Sequence, residues 1–350
     1  MRVLYLCDFD LSRYSGKDRA TRQKLRALSK CVEQLDCLSA NSRFNKGFNV
    51  VLLDFKAFYF ILKKRPDVFV SRGYAGFFSL VLCKVLRIKS VREIHSDPKD
   101  ELQYLDKPKL VKLAIYVASH LSHFLDKNSD KRIFNHPLLK AWYESKYGWK
   151  TGNYFVYNGF SVDDLVEYEK YSCRKQFGFS DNVNYIAFTG SASYWHGVDY
   201  LVELQRELNR ICSNVKIVCA GGKVPVELDP DKIIKNITPL DDVGCAKIIC
   251  AADACILPVK DVRVSPGSPL KLYDYISHKK PVITQNDLVG YSDEVERYGC
   301  GLLVDFSEPK LAAFEIINFI DSIVLPEFDV TVFSWDSRMR EWADIFRDSK

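Results

Sequence analysis

Within the segment from Arg263 to Ile283, Arg263, Ser268, Lys271 and Asp274 stand at spacings that suit a phosphorylated sugar. Ser268 is a strong helix N-cap, and Pro269 suits the first helical position, where its missing N–H costs nothing. Gly267, just before them, permits close backbone approach. The free N–H groups over Ser268, Pro269 and Leu270, with the helix dipole, then offer a seat for a phosphate or diphosphate. Lys271 adds a cation to that seat. Asp274 lies three residues on, on the same helix face, where a carboxylate can hold the vicinal hydroxyls of a sugar. A capped surface helix with an i,i+3 ion pair would show the same spacing.

In the first half, Glu93-Ile94-His95-Ser96-Asp97 closes a strand candidate at the sheet edge where ligands of such folds bind. His95 is a candidate catalytic residue; a lone histidine satisfied within a loop is the alternative. Ser15-Gly16-Lys17 lies between the first strand candidate and a helix. No G-x-G-x-x-G occurs there, which counts against a nicotinamide dehydrogenase. Asp8-Phe9-Asp10 puts carboxylates after the first strand, but no spaced His/Cys/Asp cluster accompanies them, so no metal is expected.

These residues need a frame of alternating strands and helices. Strand candidates are 2–7, 50–53, 68–71, 90–94 and 154–157, then 185–189, 215–220, 233–237, 254–257, 281–284 and 301–304. Helical stretches lie between them, notably 17–30, 75–86, 109–125 and 138–147, then 198–210, 241–250, 269–277 and 310–321. Such alternation implies parallel sheets flanked by helices, here two doubly wound α/β units in tandem. The join is expected at Asn158-Gly159, a turn dipeptide. Residues 1–158 form the first domain and 159–333 the second, with 334–350 as a final segment.

Charge divides at the same join. Residues 1–158 hold 29 Lys/Arg and 15 Asp/Glu, a balance of +14; residues 159–350 hold 21 and 30, a balance of −9, which together restore the formal +5. The basic half is expected to meet something acidic, such as anionic lipid headgroups or a phosphate-bearing acceptor. Nucleic acid is not expected, because no recognised motif accompanies the charge. The segment 107–132, with Lys107, Lys109, Lys112, Lys127, Lys131 and Arg132 around apolar residues, reads as a basic amphipathic helix. It could lie on an anionic membrane or pack its apolar face on the sheet. Eleven cysteines, an odd number without a C-x-x-C pair, read as buried reduced thiols rather than a disulfide framework. Neither a signal peptide nor a membrane span is evident, so a cytoplasmic protein, peripheral at the inner face of the membrane, is expected.

The residues around Lys271 also carry a resemblance. With Asp253-Ala254-Cys255-Ile256-Leu257-Pro258 before and Gly299-Cys300-Gly301-Leu302-Leu303-Val304 after, the segment resembles the donor-binding half of family 4 (group 1) glycosyltransferases. The stretch from Gly190 to Leu201 is similar to the loop that opens that half, and Asn158-Gly159-Phe160 to its linker. The resemblance implies a GT-B fold, two Rossmann-like doubly wound domains facing a central cleft. It implies transfer of a sugar, with retention, from a nucleotide-diphosphate donor to a glycan or lipid-linked acceptor, with no cofactor and no obligatory metal. It further implies that His95 contacts the transferred sugar, that Gly16 lies by the donor, and that the last helix braces the first domain. Two departures stand out. Pro266 replaces the first acid of a Glu-x7-Glu pair, of which Asp274 is the shortened second. Ser191 and His196 stand where many members have Arg and Lys on the diphosphate, so Lys271 and Arg263 are expected to supply that charge. The departures leave two alternatives: a non-catalytic degenerate partner subunit, or another GT-B enzyme such as a sugar-nucleotide epimerase.

Overall fold

A computed structural model describes residues 1–12, 16–41, 46–104, 107–191, 196–211, 214–238, 240–260, 264, 267–323 and 327–348. The chain forms two compact units. The first comprises Met1–Ser161, Arg263–Ser268 and Phe333–Lys350, and the second Val162–Val262 and Pro269–Val332. The expected division at 158/159 leaves 263–268 in the second domain; the compact units give that segment to the first.

The first unit runs β1 (Arg2–Cys7), α1 (Gly16–Cys31), β2 (Gln34–Ser39), α2 (Lys46–Lys64), β3 (Val68–Arg72), α3 (Phe77–Leu86), β4 (Lys89–Ile94), α4 (Pro98–Glu101), α5 (Lys109–Asn128), β5 (Lys131–Phe134), α6 (Pro137–Tyr147) and β6 (Asn153–Phe155). Its six parallel strands lie in the order β2-β1-β3-β4-β5-β6. The order reverses between β1 and β3, which places the ligand-binding crevice of such a sheet at their carboxyl ends. Val3, Leu4, Leu6, Val68, Phe69 and Val70 are buried, as strands covered on both faces require.

The second unit runs α7 (Lys170–Phe177), β7 (Asn184–Gly190), α8 (Val198–Ile211), β8 (Val215–Gly221), β9 (Lys235–Ile237), α9 (Asp242–Ala251), β10 (Ala254–Leu257), α10 (Leu270–Ser277), β11 (Val282–Gln285), α11 (Ser292–Tyr298), β12 (Gly301–Val304) and α12 (Pro309–Asp321). Its order, β12-β11-β10-β7-β8-β9, is the 3-2-1-4-5-6 arrangement of dinucleotide-binding sheets. The switch point falls between β7 and β10. One apolar core joins α8 and α12 to the sheet through Leu201, Leu204, Ile217, Ile256, Ala313 and Ile316.

The final helix, α13 (Trp335–Arg347), belongs to the first unit. Ser334 caps it, accepting from Ser337 N at 3.2 Å. Buried Lys131 donates to the carbonyls of Ile345 and Asp348, each at 2.9 Å, so a cation meets the negative end of the helix dipole. Gly159 leaves room for this return: a Cβ there would stand 2.6 Å from the Phe333 carbonyl oxygen.

Two expectations fail here. Residues 50–53 are helical, inside α2, because the apolar stripe of 46–64 has helical spacing that a four-residue run conceals. Lys131 and Arg132 do not flank an exposed helix; they lie buried in β5, where Arg132 donates to Asn153 Oδ1 at 2.6 Å. The described cysteines are free thiols, with Cys7, Cys83, Cys173, Cys219, Cys250, Cys255 and Cys300 buried. No helix among the described residues is long and apolar enough to cross a membrane.

Candidate active site

In the second unit, β7 delivers Gly190 and Ser191 to the switch point. Tyr275, buried on α10, accepts from Thr189 N at 2.9 Å and from Thr189 Oγ1 at 3.2 Å, which fixes the end of β7 to α10. Gly190 has φ 98°, and a Cβ there would stand 2.8 Å from Lys271 Cε. Only glycine suits both conditions. His196 Nδ1 lies 2.7 Å from the Ser191 carbonyl oxygen.

Lys271, on the first turn of α10, is brought to that glycine. Its Nζ is buried without a hydrogen-bond partner among the described residues and lies 4.0 Å from the Phe188 ring centroid. Burial pushes its pKa down to about 7, against a small opposing effect from Cys219. A buried, unpaired cation is costly unless an anion completes it. No side chain caps the first turn of α10, so its N–H groups can serve the same anion.

The cap itself departs from expectation. Pro269, with φ −78° and ψ 119°, is the N-cap, and the helix begins at Leu270. The Ser268 hydroxyl is engaged instead by Asn158 N at 2.9 Å, while Asn158 Nδ2 donates to the Ser268 carbonyl at 2.7 Å. Gly267 has φ 77°, and a Cβ there would meet no atom of the described residues within 4 Å. Asp274 lies half-buried on α10, where its carbonyl accepts from Ser277 Oγ at 2.8 Å. Arg263 lies outside the described residues.

In the first unit, His95 follows β4 and Gly16 opens α1 as an exposed residue. His95 Nε2 lies 2.5 Å from Glu93 Oε1, and its Nδ1 lies 3.2 Å from Asn135 Nδ2. An amide donating to Nδ1 puts the ring proton on Nε2, facing Glu93. Burial, reinforced by Arg72, pushes the His95 pKa down to about 4, so the ring is neutral at pH 7. Glu93 also accepts from Tyr5 OH at 2.5 Å, from Arg72 at 3.4 Å and from Lys24. Burial alone would raise its pKa; Lys24 and Arg72 overcome that and hold the carboxyl well below the usual range. Burial lowers Lys24 to about 8 despite this partner.

His95, Glu93, Arg72, Lys17 and Asp8 line a cavity of about 230 Å³ at the β1/β3 switch point. Asp8 holds its rim, accepting from Tyr74 N at 2.8 Å. The loop after His95 is pinned by Asp97, which accepts from Trp142 Nε1 and Tyr147 OH at 3.0 Å and from Lys146 at 3.1 Å. Among the described residues, no group of three His, Cys, Asp or Glu side chains could hold a metal ion.

Sequence reasoning misses Tyr5, Lys24, Arg72 and Asn135 as companions of His95. They come from four different elements or loops, and no local spacing announces them. Glu93, two residues from His95 on the same strand face, is the available signal.

Residues 183–322 match the family described as glycosyl transferases group 1. No curated protein matches the chain. Among solved structures, sucrose-phosphate synthase from Thermosynechococcus elongatus is similar at 14% identity and TM-score 0.65, over 99% of this chain and 95% of that one. WaaG, a glycosyltransferase involved in lipopolysaccharide biosynthesis, is similar at 12% identity and TM-score 0.63, over 97% and 95%. Anabaena Alr3699/HepE, solved in complex with UDP and glucose, is similar at 15% identity and TM-score 0.62, over 98% and 95%. The fold is that of the GT-B glycosyltransferases, and residues 183–322 carry the group 1 family's own sequence pattern.

Proposed function

From the premise that residues 183–322 match the group 1 glycosyl transferases, we propose that this chain moves a sugar from a nucleotide-diphosphate donor to an acceptor hydroxyl. The observation that carries the reading is Lys271, a buried ammonium without a described partner, beside Gly190 and the uncapped first turn of α10. Those groups match a diphosphate in charge and in the direction of their donors. Negative charge develops on the diphosphate as the sugar leaves, so donors fixed in advance stabilise the transition state more than the ground state. Asp274 would accept from the ribose hydroxyls, and Ser191, His196 and Arg263 would complete the donor loop. No metal or cofactor is required in this scheme, and the sugar is transferred with retention.

The first unit would receive the acceptor. His95, neutral and fixed by Glu93, forms a wall of the cavity that can position a sugar without carrying a charge. A glycolipid or surface-polysaccharide intermediate fits the basic balance of this half, and HepE, which was solved with UDP, supports a uridine donor first. The test is a thermal-shift and turnover screen with UDP-, GDP-, dTDP- and ADP-sugars. One donor should raise the melting temperature by mass action and be consumed. Lys271→Ala and His95→Ala should each slow that consumption. Failure of every nucleotide sugar to bind would favour a non-catalytic partner subunit.

A further inference from the structure

The helices α2 and α3 of the first unit bury Leu53, Ala57, Ile61, Leu80 and Cys83, yet they and α5 also carry apolar side chains on their outer faces. On α2, Phe48, Val51, Phe55, Tyr59 and Leu62 follow helical spacing, and all are exposed. On α3, Phe78, Val81 and Val85 do the same, and on α5 Leu110, Leu113, Val117 and Phe124. Leu110 is 81% exposed and Val85 72%. The face of α5 turned inward carries Ser119, Ser122, His123 and Asp126 beside one apolar residue, Leu125. A surface helix normally keeps its outer face polar, so these outward apolar residues form an unpartnered surface.

The three stripes form one surface. Phe55 of α2 stacks on Phe78 of α3 at 5.5 Å between centroids, and Phe77 meets Phe124 of α5 at 5.3 Å. Within the three helices the exposed charges are of one sign. The acids within the three helices are Asp54 and Asp126, and both are buried. Asp54 accepts from Phe78 N at 2.9 Å and Ser79 N at 3.0 Å, and Asp126 pairs with Arg92 at 2.8 Å. Lys56, Lys63, Lys64, Lys109 and Lys127 are exposed around the apolar residues, while Lys84 is paired with Asp130 just beyond α5. Apolar side chains fringed by lysines, with both acids of the three helices withdrawn, complement a layer of anionic headgroups over acyl chains. A protein partner would have no need of so uniform a sign.

We infer that the α2–α3–α5 face docks on an anionic lipid bilayer, its aromatic and aliphatic side chains entering the headgroup boundary. Such docking differs from that of a basic helix held by charge alone, because the apolar surface spans three helices. It also places the cavity usefully: α5 gives Leu113 and Val117 to the docking face and Ser122 and Asp126 to the cavity wall. A headgroup of a membrane-resident acceptor would then meet the cavity from the same helix.

The test is co-sedimentation of the full chain with vesicles of phosphatidylcholine alone and of phosphatidylcholine mixed with phosphatidylglycerol. It needs no donor, so it stands apart from whether sugar is transferred. Anionic vesicles should bind the protein, with a part of the binding that survives high salt. Leu113→Asp with Val117→Asp should weaken it by about tenfold or more, while leaving the melting temperature unchanged, since both sites are exposed. Lys63→Glu with Lys64→Glu should weaken it less and flatten its salt response. Should the first pair fail to fold, Phe55→Ser on α2 takes its place. No binding at low salt, equal binding to neutral vesicles, or unaltered binding by the apolar variants would overturn the inference. So would light scattering that shows a dimer dissolved by Leu113→Asp with Val117→Asp, which would give the face to a second copy.

Discussion

At the carboxyl edge of the first sheet, Glu93 is enclosed by Tyr5, Lys24, Arg72 and His95; at that of the second, Lys271 is buried with no partner among the described residues. Both edges are switch points, and both hold buried charge. The first is a network already satisfied by the protein, which fixes shape. The second leaves its charge to be completed by something that binds. Rigidity and affinity are thus built from the same material, a buried ion, by supplying or withholding its partner.

Removing the partner where it is present should have the largest effect. Glu93→Gln leaves the Lys24 and Arg72 cations buried without their carboxylate, and the first unit should lose roughly 3–5 kcal/mol of stability. Chemical denaturation with a probe on Trp342, which lies against Lys24 at 4.8 Å, would read it. A loss below about 1 kcal/mol would mean that water already screens the cluster.

The mirror experiment is Lys271→Met. It removes an ion that has no described partner, so the unliganded second unit should become more stable while catalysis fails. Turnover of the donor should fall by about 10²–10³-fold, the range for one lost oxyanion-type donor. Calorimetry without donor and steady-state rates with it would separate the two signs. A variant that lost stability and activity together would show that Lys271 is structural.

Gly190→Ala should have a smaller effect that sharpens the same contrast. Its φ of 98° and the 2.8 Å approach to Lys271 Cε set a strain of about 1–3 kcal/mol, relieved in part because the lysine tip can move. The movement itself is the readout: donor affinity should fall more than stability does. Equal losses would indicate that the loop, not the lysine, is what the alanine disturbs.

How much of this is legible in the sequence differs between the units for the same reason. The second unit's site is built from contiguous runs, Gly190–Ser191 and Pro269–Asp274, and its strands 254–257 and 301–304 stand where the patterning puts them. The first unit's site joins Tyr5, Lys24, Arg72 and Glu93 from four elements, and its edge strand β2, Gln34–Ser39, is half polar and lacks the apolar run that marks a strand. Burial of Arg132 and exposure of Leu110 reverse what residue type alone suggests, since both depend on which side of α5 and β5 the sheet occupies. The N-cap at Pro269 rather than Ser268 is a local choice decided by a distant residue, Asn158.

The smallest effect is in the pH dependence, and it runs through both edges. His95 has a folded pKa of about 4 against an ordinary value of 6.5, so the unfolded chain binds the extra proton between those values. Stability of the first unit therefore falls as pH drops from 6.5 towards 4, and His95→Gln should remove that part of the slope. Lys271 has a folded pKa of about 7 against 10.5, so above pH 7 the unfolded chain again holds the extra proton. Lys271 therefore contributes a stability to the unliganded second unit that rises from pH 7 to 8, read as the difference between wild type and Lys271→Met, in which the thiols' opposite slope cancels. A bound diphosphate restores the lysine's charge, so donor affinity should fall over the same interval in the wild type and stay level in the variant. Calorimetry and donor titrations from pH 5 to 8 would test both slopes. A donor affinity independent of pH in the wild type would mean that the diphosphate is held by the N–H groups of α10 without help from Lys271.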